Sequence, residues 1–284
     1  INTLYQLNLN IKLCDINLED YSLDIKHLEK IISKKTKLII ITHYGGVPTD
    51  TKKIRNLCRK YKIFLIQDAA TTLGAKVYKK HVGSEKNIIS VFSLYANKII
   101  TSGEGGIITT DKLSIYKKLK KITYCGINRI PWSRSKIKKN NWFYKVDTPG
   151  YKFNYTDLQS AIAIPQLNKL KSIINYRNKL KLRYKKNLSE LEKNEKIKFI
   201  EENINIKSSN YIFTILLKTN GKKNRDCLFN YLTENKIQPS VHYIPANKHV
   251  FYRKRFKKFK LWNTNYVFKN IISLPLHNYL TTKD

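Results

Sequence analysis

The sequence contains no methionine at all, and its first residue is isoleucine. Translated reading frames start with methionine, so we expect this chain to be a fragment that lacks its N-terminal part. No apolar run approaches the roughly 18 residues of a membrane helix. No positively charged stretch followed by an apolar one opens the chain, as it would in a secretory signal. We therefore expect a cytoplasmic protein without a membrane partner.

Cysteine is also scarce, and its four copies are widely spaced without a C-x-x-C pair: Cys14, Cys58, Cys125 and Cys227. This spacing excludes a dense disulfide framework and a zinc ribbon, and it suits a reducing compartment. We predict no metal site.

Acidic residues are few, with 20 Asp and Glu against 55 Lys and Arg, a net charge of +35. Such a charge could attract nucleic acid or an anionic membrane surface. However, lysine, isoleucine and asparagine are over-used along the whole chain, whereas a nucleic-acid-binding surface concentrates its charge on one face. We attribute the charge to a compositional bias and expect no nucleic-acid partner, with a charged partner as the alternative.

The 284 residues are 42% hydrophobic and 26% charged, which is ordinary for one or two folded domains. Compact β-branched runs predict strands at residues 37–43, 62–67, 88–94 and 106–110. Apolar positions at helical spacing predict helices between them, at 24–34, 51–61 and 112–122. Strands that alternate with helices indicate an α/β domain with a mostly parallel sheet.

A second unit follows an excursion over residues 127–150, which has little periodicity and carries Trp132, Trp142 and Phe143. The pattern Thr156-x-x-Gln159 is a capping box that predicts the start of a long helix, in which Pro165 is expected to produce a kink. Beyond it we predict a strand at 210–217, a helix at 224–234 and a strand at 240–244. We place the domain boundary at residue 174, which gives domains of residues 1–174 and 175–284.

Three features could carry chemistry. Asp68 ends an apolar strand, where open α/β sheets bind their ligands, although a turn or cap residue is the alternative. Lys98 follows the strand that contains Ser93, and a lysine with a depressed pKa can act as a nucleophile; in so lysine-rich a chain, a solvated surface lysine is the ordinary alternative. The glycine-rich turn at residues 103–106 allows a close approach of the backbone to a ligand, or only a tight strand connection.

Five segments together resemble the DegT/DnrJ family of pyridoxal-phosphate-dependent sugar-nucleotide aminotransferases. They are IFLIQDAATTLGA, GSEKNIISVFSLYANKIITSGEGGIITTD, PGYKFNYTDLQSAIAIPQL, SVHYIP and SLPLHNYLTT. The resemblance implies a large domain of the aspartate-aminotransferase type (fold type I), truncated at its N-terminus, and a smaller C-terminal α+β domain. It also implies pyridoxal 5′-phosphate (PLP) as the cofactor. The family's phosphate-binding cup and stacking aromatic residue are expected upstream of residue 1.

The resemblance assigns roles residue by residue. By position, Lys98 matches the lysine that forms a Schiff base with PLP, and Asp68 matches the carboxylate that pairs with its ring nitrogen. The other implied cofactor-binding residues are Ala70 under the ring, Thr71 near the phenolic oxygen, Ser93 at the phosphate, and Asn154 at the phosphate of the neighbouring subunit. The implied substrate-binding residues are His242 and Tyr95.

The resemblance implies transfer of an amino group from glutamate to a nucleotide-linked keto-sugar, by a homodimer with shared active sites, in cell-surface polysaccharide or amino-sugar biosynthesis. A UDP-linked 4-keto sugar is favoured by residues 126–154. Departures from the family pattern at Thr71, Asn210-Tyr211-Ile212 and Asn247 keep a non-catalytic binding or regulatory homologue as an alternative. A dehydratase of the same fold is disfavoured because that branch has histidine in place of Lys98.

Overall fold

The computed structural model describes residues 1–128, 142–218, 222–281 and 284. The predicted strand at 37–43 forms as Leu38–Thr42 (β1), the strand at 62–67 as Phe64–Asp68 (β2), the strand at 88–94 as Ile89–Ser93 (β5), and the strand at 106–110 as Gly106–Thr109 (β6). A short hairpin, Lys76–Val77 (β3) and Lys80–His81 (β4), lies between β2 and β5. The helices of this part are Asn2–Gln6 (α1), Ile25–Ile31 (α2), Lys52–Tyr61 (α3) and Leu113–Ile122 (α4).

The main sheet has the order β1-β2-β5-β6. The first three strands are parallel, and β6 pairs antiparallel with β5. The predicted α/β fold with a mostly parallel sheet is therefore confirmed. Since parallel neighbours run in the same direction, the carboxyl ends of β1, β2 and β5 lie along one edge.

Helices α2 and α3 cover one face of this sheet. Ile41 of β1 and Leu65 of β2 pack against Leu28 of α2 and against Ile54 and Cys58 of α3. This core forms because the side chains of a strand alternate between two faces, while apolar residues of α3 recur at helical spacing. The opposite face of the sheet carries exposed apolar side chains, namely Ile40, Phe64, Val91 and Ile108.

The second part begins with the long helix Asp157–Asn187 (α5), and the predicted capping box between Thr156 and Gln159 is present. The helix runs through Pro165. After it come Ser189–Lys193 (α6), Ile197–Phe199 (β7), Ile206–Lys207 (β8), Phe213–Leu217 (β9), Lys222–Glu234 (α7), Val250–Phe256 (α8), Trp262–Asn270 (α9) and Ile271–Leu274 (β10). Strands β10, β9 and β7 form an antiparallel sheet, whereas β8 pairs with β3 of the first part. The predicted boundary at residue 174 falls inside α5 and stays a prediction.

Two strand predictions in this part need correction. The predicted strand at 240–244 is wrong, because only Ser240 pairs, in an isolated bridge with Ser273; the carbonyl of His242 instead accepts a hydrogen bond from the Tyr44 hydroxyl. The strand expected from residue 210 starts at Phe213, since Asn210 adopts a left-handed backbone with φ +55°. Of the aromatic residues in the 127–150 excursion, Trp132 lies outside the described residues, whereas Trp142 and Phe143 are exposed.

Candidate active site at the carboxyl edge of the sheet

The carboxyl edge of the main sheet brings together the ends of β2 and β5, which are Asp68 and Ser93. The pairing register places Asp68 between Thr42 of β1 and Val91 of β5. The N–H of His43, directly after β1, donates to the Asp68 carbonyl at 3.1 Å. Ligand crevices of open α/β sheets lie at this edge, because the chain leaves neighbouring strands there in different directions.

Asp68 begins a tight turn whose hydrogen bonds fix its carboxylate. Its Oδ1 accepts from the N–H of Ala70 at 3.2 Å. The Thr71 hydroxyl donates to the carbonyl of His43 at 2.8 Å, so its proton is already engaged within the protein. Ala70 and Thr71 are both half-buried beside Asp68. The turn thus presents one small side chain and one carboxylate at the edge.

Lys98 lies on a turn that is closed by its own backbone. Its N–H donates to the carbonyl of Tyr95 at 3.0 Å, and the N–H of Tyr95 donates to the Ser93 hydroxyl oxygen at 3.2 Å. Buried Leu94 anchors the turn, since its N–H donates to the carbonyl of Gly105 at 2.8 Å. The glycine-rich turn at 103–106 therefore supports the Lys98 turn. The Tyr95 side chain is exposed beside it.

Lys98, Asp68 and His242 form one electrostatic cluster. Burial lowers the pKa of Lys98, and the negative charge of Asp68 opposes that change. Burial, and then the positive charge of Lys98, lower the pKa of His242. The fold brings together these three residues, which are far apart in sequence, and their charges therefore affect one another. A lysine in this setting is neutral more often than a surface lysine, and a neutral amine is the form that attacks a carbonyl.

The segment at 242–243 completes this cluster from the second part of the chain. The Nδ1 of His242 and the Ser273 hydroxyl are 2.8 Å apart. Burial, followed by the neighbouring Tyr211 phenol and the charge of Asp68, raises the pKa of Tyr243 to about 12. Tyr243 therefore stays neutral and can donate a hydrogen bond at physiological pH. Tyr243 is not among the residues predicted from the sequence, although it directly follows His242.

Tyr211 is a further residue that the sequence analysis recorded only as a departure from the family pattern. Its ring centroid lies 5.0 Å from Nζ of Lys98, and 8% of the residue is exposed. A sequence pattern could not select it, because a single tyrosine before an apolar strand is ordinary core composition. Its position becomes meaningful only when residue 98 is placed beside it.

Asn154 occupies a different position from the cluster. It is exposed in the irregular segment that precedes α5. The first turn of α5, directly after this segment, contacts the glycine-rich turn, since Gln159 Nε2 donates to the Glu104 carbonyl at 2.9 Å. Among the described residues, no recorded contact joins Asn154 to Lys98 or Asp68. Within one chain, six of the eight predicted site residues lie on the two turns at the edge of the sheet, and His242 reaches the edge from the second part.

Comparison with known proteins gives matches along the whole chain. The sequence model of the DegT/DnrJ/EryC1/StrS aminotransferase family matches residues 1–284. The uncharacterized protein MJ1066 of Methanocaldococcus jannaschii is 35% identical over 275 residues, which are 95% of this chain and 69% of that protein. The spore coat polysaccharide biosynthesis protein SpsC of Bacillus subtilis is 27% identical over 285 residues, which are 100% of this chain and 72% of that protein.

Solved structures agree in fold. PseC of Helicobacter pylori, an aminotransferase involved in the biosynthesis of pseudoaminic acid, matches with a TM-score of 0.88 and 26% identity over 99% of this chain and 72% of that chain. The putative sugar aminotransferase Spr1654 of Streptococcus pneumoniae, in its PMP form, matches with a TM-score of 0.89 and 22% identity over 99% of this chain and 75% of that chain. A third match, with a TM-score of 0.87, is the PLP form of Spr1654. The PLP-type aminotransferase fold is therefore confirmed.

Enzymes of this family use PLP. The donors at the carboxyl edge fit that cofactor, which combines an aromatic ring nitrogen, an aldehyde and a phosphate. Asp68 supplies an anion, and Lys98 supplies a primary amine whose pKa is lowered by burial. The Ser93 oxygen accepts from the N–H of Tyr95, which leaves its O–H as a donor among the described residues.

Proposed function

Because the chain belongs to the DegT/DnrJ/EryC1/StrS aminotransferase family, whose members are PLP-dependent sugar aminotransferases, we propose that it aminates a nucleotide-linked keto-sugar with glutamate as the amino donor. The observation that carries this proposal is the electrostatic coupling of Asp68 and Lys98 at the carboxyl edge of one sheet. An isolated surface lysine would be fully solvated and would lack a carboxylate neighbour. The coupling favours an enzyme over a non-catalytic homologue.

In the proposed mechanism, Asp68 holds the positive charge of the ring nitrogen and Lys98 is the residue to which the cofactor is joined. When bound, PLP supplies an electron sink that stabilises negative charge at the carbon from which a proton is removed. Lys98 Nζ, freed once the amine of the amino donor has replaced it on the cofactor, would take that proton as a general base and return a proton as a general acid. Both roles need an amine that changes its protonation state readily, and the partial burial of Lys98 supports this.

The remaining predicted residues orient the ligands. The small side chain of Ala70 allows a planar ring to lie close to the end of β2, and the Ser93 hydroxyl is placed to bind phosphate. Thr71 would accept a hydrogen bond, because its own proton is donated to His43. His242 and Tyr95 both lie close to Lys98 and would contact the sugar. His242 is neutral there, because burial and the charge of Lys98 lower its pKa.

The working unit in this proposal is a homodimer with shared active sites. Asn154 is exposed and has no recorded contact with Lys98 of its own chain within the described residues, as expected if it reaches the phosphate of the partner's site. Exposed Trp142 and Phe143 precede this segment, and burial at an interface would remove their apolar surface from water. Each site would therefore be incomplete in a monomer.

The proposed substrate is a UDP-linked 4-keto sugar, and the proposed process is the synthesis of cell-surface polysaccharides or amino sugars in the cytoplasm. Two relatives support the proposed process, since PseC is an aminotransferase involved in pseudoaminic acid biosynthesis and SpsC is a spore coat polysaccharide biosynthesis protein. Within the described residues, no helix has the length and apolarity needed to cross a bilayer.

Chemical labelling tests the proposal. The full-length protein is incubated with PLP, reduced with borohydride and digested, and the labelled peptide is identified by mass spectrometry. We expect a single labelled lysine, Lys98, and no label in Lys98→Ala. The matched control is Lys60→Ala, because Lys60 also lies over a tyrosine ring, at 5.5 Å from that of Tyr61. Lys60 is on α3, which leads into the opposite end of β2, so its loss should leave the label unchanged.

A label on any other lysine, or no label at all, would refute the assignment of Lys98. A protein that takes the label but never converts glutamate to its keto acid would instead support the non-catalytic alternative. Glutamate conversion is followed by the change in absorbance of the cofactor in a single turnover, without a sugar substrate.

A further inference from the structure

Residues 208–212 form a short segment that is tied to the loops at the carboxyl edge. The Ser209 N–H donates to the carbonyl of Gly46 at 3.0 Å, and the Ser209 hydroxyl donates to the carbonyl of Thr71 at 2.6 Å. The segment is buried up to Tyr211. Its backbone therefore has a fixed position relative to the end of β2.

Arg177 anchors the same segment from the opposite side. This arginine lies on α5 and is 8% exposed. Its Nη1 contacts the carbonyls of Asn210 at 3.3 Å, Tyr211 at 3.1 Å and Leu276 at 2.8 Å. Two segments of the chain thus meet at one guanidinium group of α5. Tyr211 cannot shift without disturbing contacts to both α5 and the segment after β10.

The Tyr211 side chain reaches from this anchor to the Lys98 turn. Its ring packs in a buried cluster with Ile99 and Ile100, which directly follow Lys98. Its hydroxyl donates to Asn97 Oδ1 at 3.4 Å. The ring centroid lies 5.0 Å from Lys98 Nζ. The Tyr211 ring thus contacts residues before and after Lys98 in the sequence. The Nζ of Lys98 lies within cation–π range of this ring.

A tyrosine ring carries negative charge on its faces and attracts an ammonium group within about 6 Å of its centroid. We propose that Tyr211 is a positioning residue, anchored through Arg177, whose ring holds the ammonium form of Lys98 in place at the edge of the sheet. The relevance of this contact to catalysis rests on the function proposed above, in which Lys98 alternates between neutral and protonated forms. The ring stabilises only the protonated form, so it affects the step in which Lys98 returns a proton.

Other charged and titratable groups also face Lys98, and they must be held constant in a test. Asp68 favours the ammonium form, and Arg177 donates to the backbone carbonyl of Tyr211. His242 is neutral above neutral pH because burial and the charge of Lys98 lower its pKa. Tyr243 stays neutral because burial, Tyr211 and Asp68 raise its pKa to about 12. His242 and Tyr243 therefore both keep their neutral form between about pH 7.5 and 10.

The test measures the pKa of Lys98 in the cofactor-free protein, from the pH dependence of its acetylation by acetic anhydride, with peptide mass spectrometry as the readout. Two variants are compared, Tyr211→Phe and Tyr211→3,4,5-trifluorophenylalanine. They share nearly the same shape, but fluorine withdraws electron density from the ring face. We expect the fluorinated ring to lower the pKa of Lys98 by about 0.4–0.7 units relative to phenylalanine. Acetylation below the pKa should then be about 2.5- to 5-fold faster, because more of the amine is neutral.

The matched control is the same pair of replacements at Tyr61, which should leave acetylation of Lys98 unchanged. Equal pKa values of Lys98 in the two Tyr211 variants would overturn the inference, since a purely structural role of the ring is the same in both. This outcome is distinct from failure of the proposed function. Borohydride labelling of another lysine would refute the role of Lys98 in binding PLP without altering its pKa in the cofactor-free protein.

Discussion

Gly46 controls how closely the 208–212 segment approaches the carboxyl edge of the sheet. This residue follows β1 in a left-handed conformation with φ +93°. A Cβ built on it would lie 2.4 Å from the Ser209 hydroxyl oxygen and 2.7 Å from the backbone nitrogen of Tyr211. The second contact is the more serious one, because a backbone atom cannot rotate away as a flexible side chain can. Gly46→Ala must therefore displace the segment that carries Tyr211.

The structure supplies a matched control for this substitution. Gly103 also has a left-handed backbone, with φ +81°, but a Cβ built on it meets no atom within 4 Å. In both alanine variants the left-handed backbone costs about 1–2 kcal/mol of stability. About 0.4–1 kcal/mol of this cost is offset, because alanine reduces the conformational freedom of the unfolded chain. Only Gly46→Ala adds overpacking, which costs about 1–3 kcal/mol. We expect Gly103→Ala to lower the free energy of unfolding by about 1 kcal/mol and Gly46→Ala by about 2–4 kcal/mol.

Urea denaturation, followed by circular dichroism, measures both free energies of unfolding. Comparison of the m-values checks that the unfolded states are equivalent. Losses of stability that agree within about 0.5 kcal/mol would refute the reasoning, because the contact with Tyr211 would then have no measurable cost. The acetylation pKa of Lys98 provides a second readout, which should change in Gly46→Ala and stay constant in Gly103→Ala.

Three further predictions concern charge and assembly. Asp68→Asn should lower the acetylation pKa of Lys98, because the Asp68 charge raises that pKa. The same variant should still bind PLP but carry out the half-reaction with glutamate about 100-fold or more slowly. An unchanged rate would remove Asp68 from the mechanism. Inactive Lys98→Ala and Asn154→Ala chains should recover activity when mixed, with at most one intact site per mixed dimer, and failure in demonstrated mixed dimers would contradict shared sites. Burial lowers the pKa of His43 to about 4, and its Nδ1 accepts from the Thr49 N–H. Protonation of His43 therefore opposes folding. The free energy of unfolding should fall by about 3 kcal/mol as the pH drops from 6.5 to 4. His43→Gln should lack this part of the pH dependence and exposed His249→Gln should keep it; equal pH profiles for His43→Gln and the unmodified protein would contradict the assignment.

Local sequence patterns were sufficient to predict the main sheet and its helices. The strands β1, β2, β5 and β6 were predicted within two residues at either end, because each is a short β-branched run between turn signals. The capping box at Thr156 was also predicted correctly, since its two side chains contact only the backbone of the same turn. Asp68 and Lys98 could be selected from their places at strand ends and in the family motifs, and their assigned roles stay predictions.

The failures have a common physical cause, which is contact between residues distant in sequence. The strand predicted at 240–244 has the right composition, but the Tyr44 hydroxyl binds the carbonyl of His242. In the sequence Tyr211 is only a departure from the family motif, whereas in the fold its ring lies beside Lys98.

The sequence by itself therefore determined the strands and helices of the main sheet and which residues carry reactive groups, because these depend on neighbours along the chain. Only the tertiary structure decided the surroundings of those groups. The depressed pKa of Lys98 arises from burial, opposed by Asp68 from the turn after β2, and the contact with the Tyr211 ring arises from a segment more than a hundred residues away. Burial and charge pairing are properties of distances in space, which no local pattern contains.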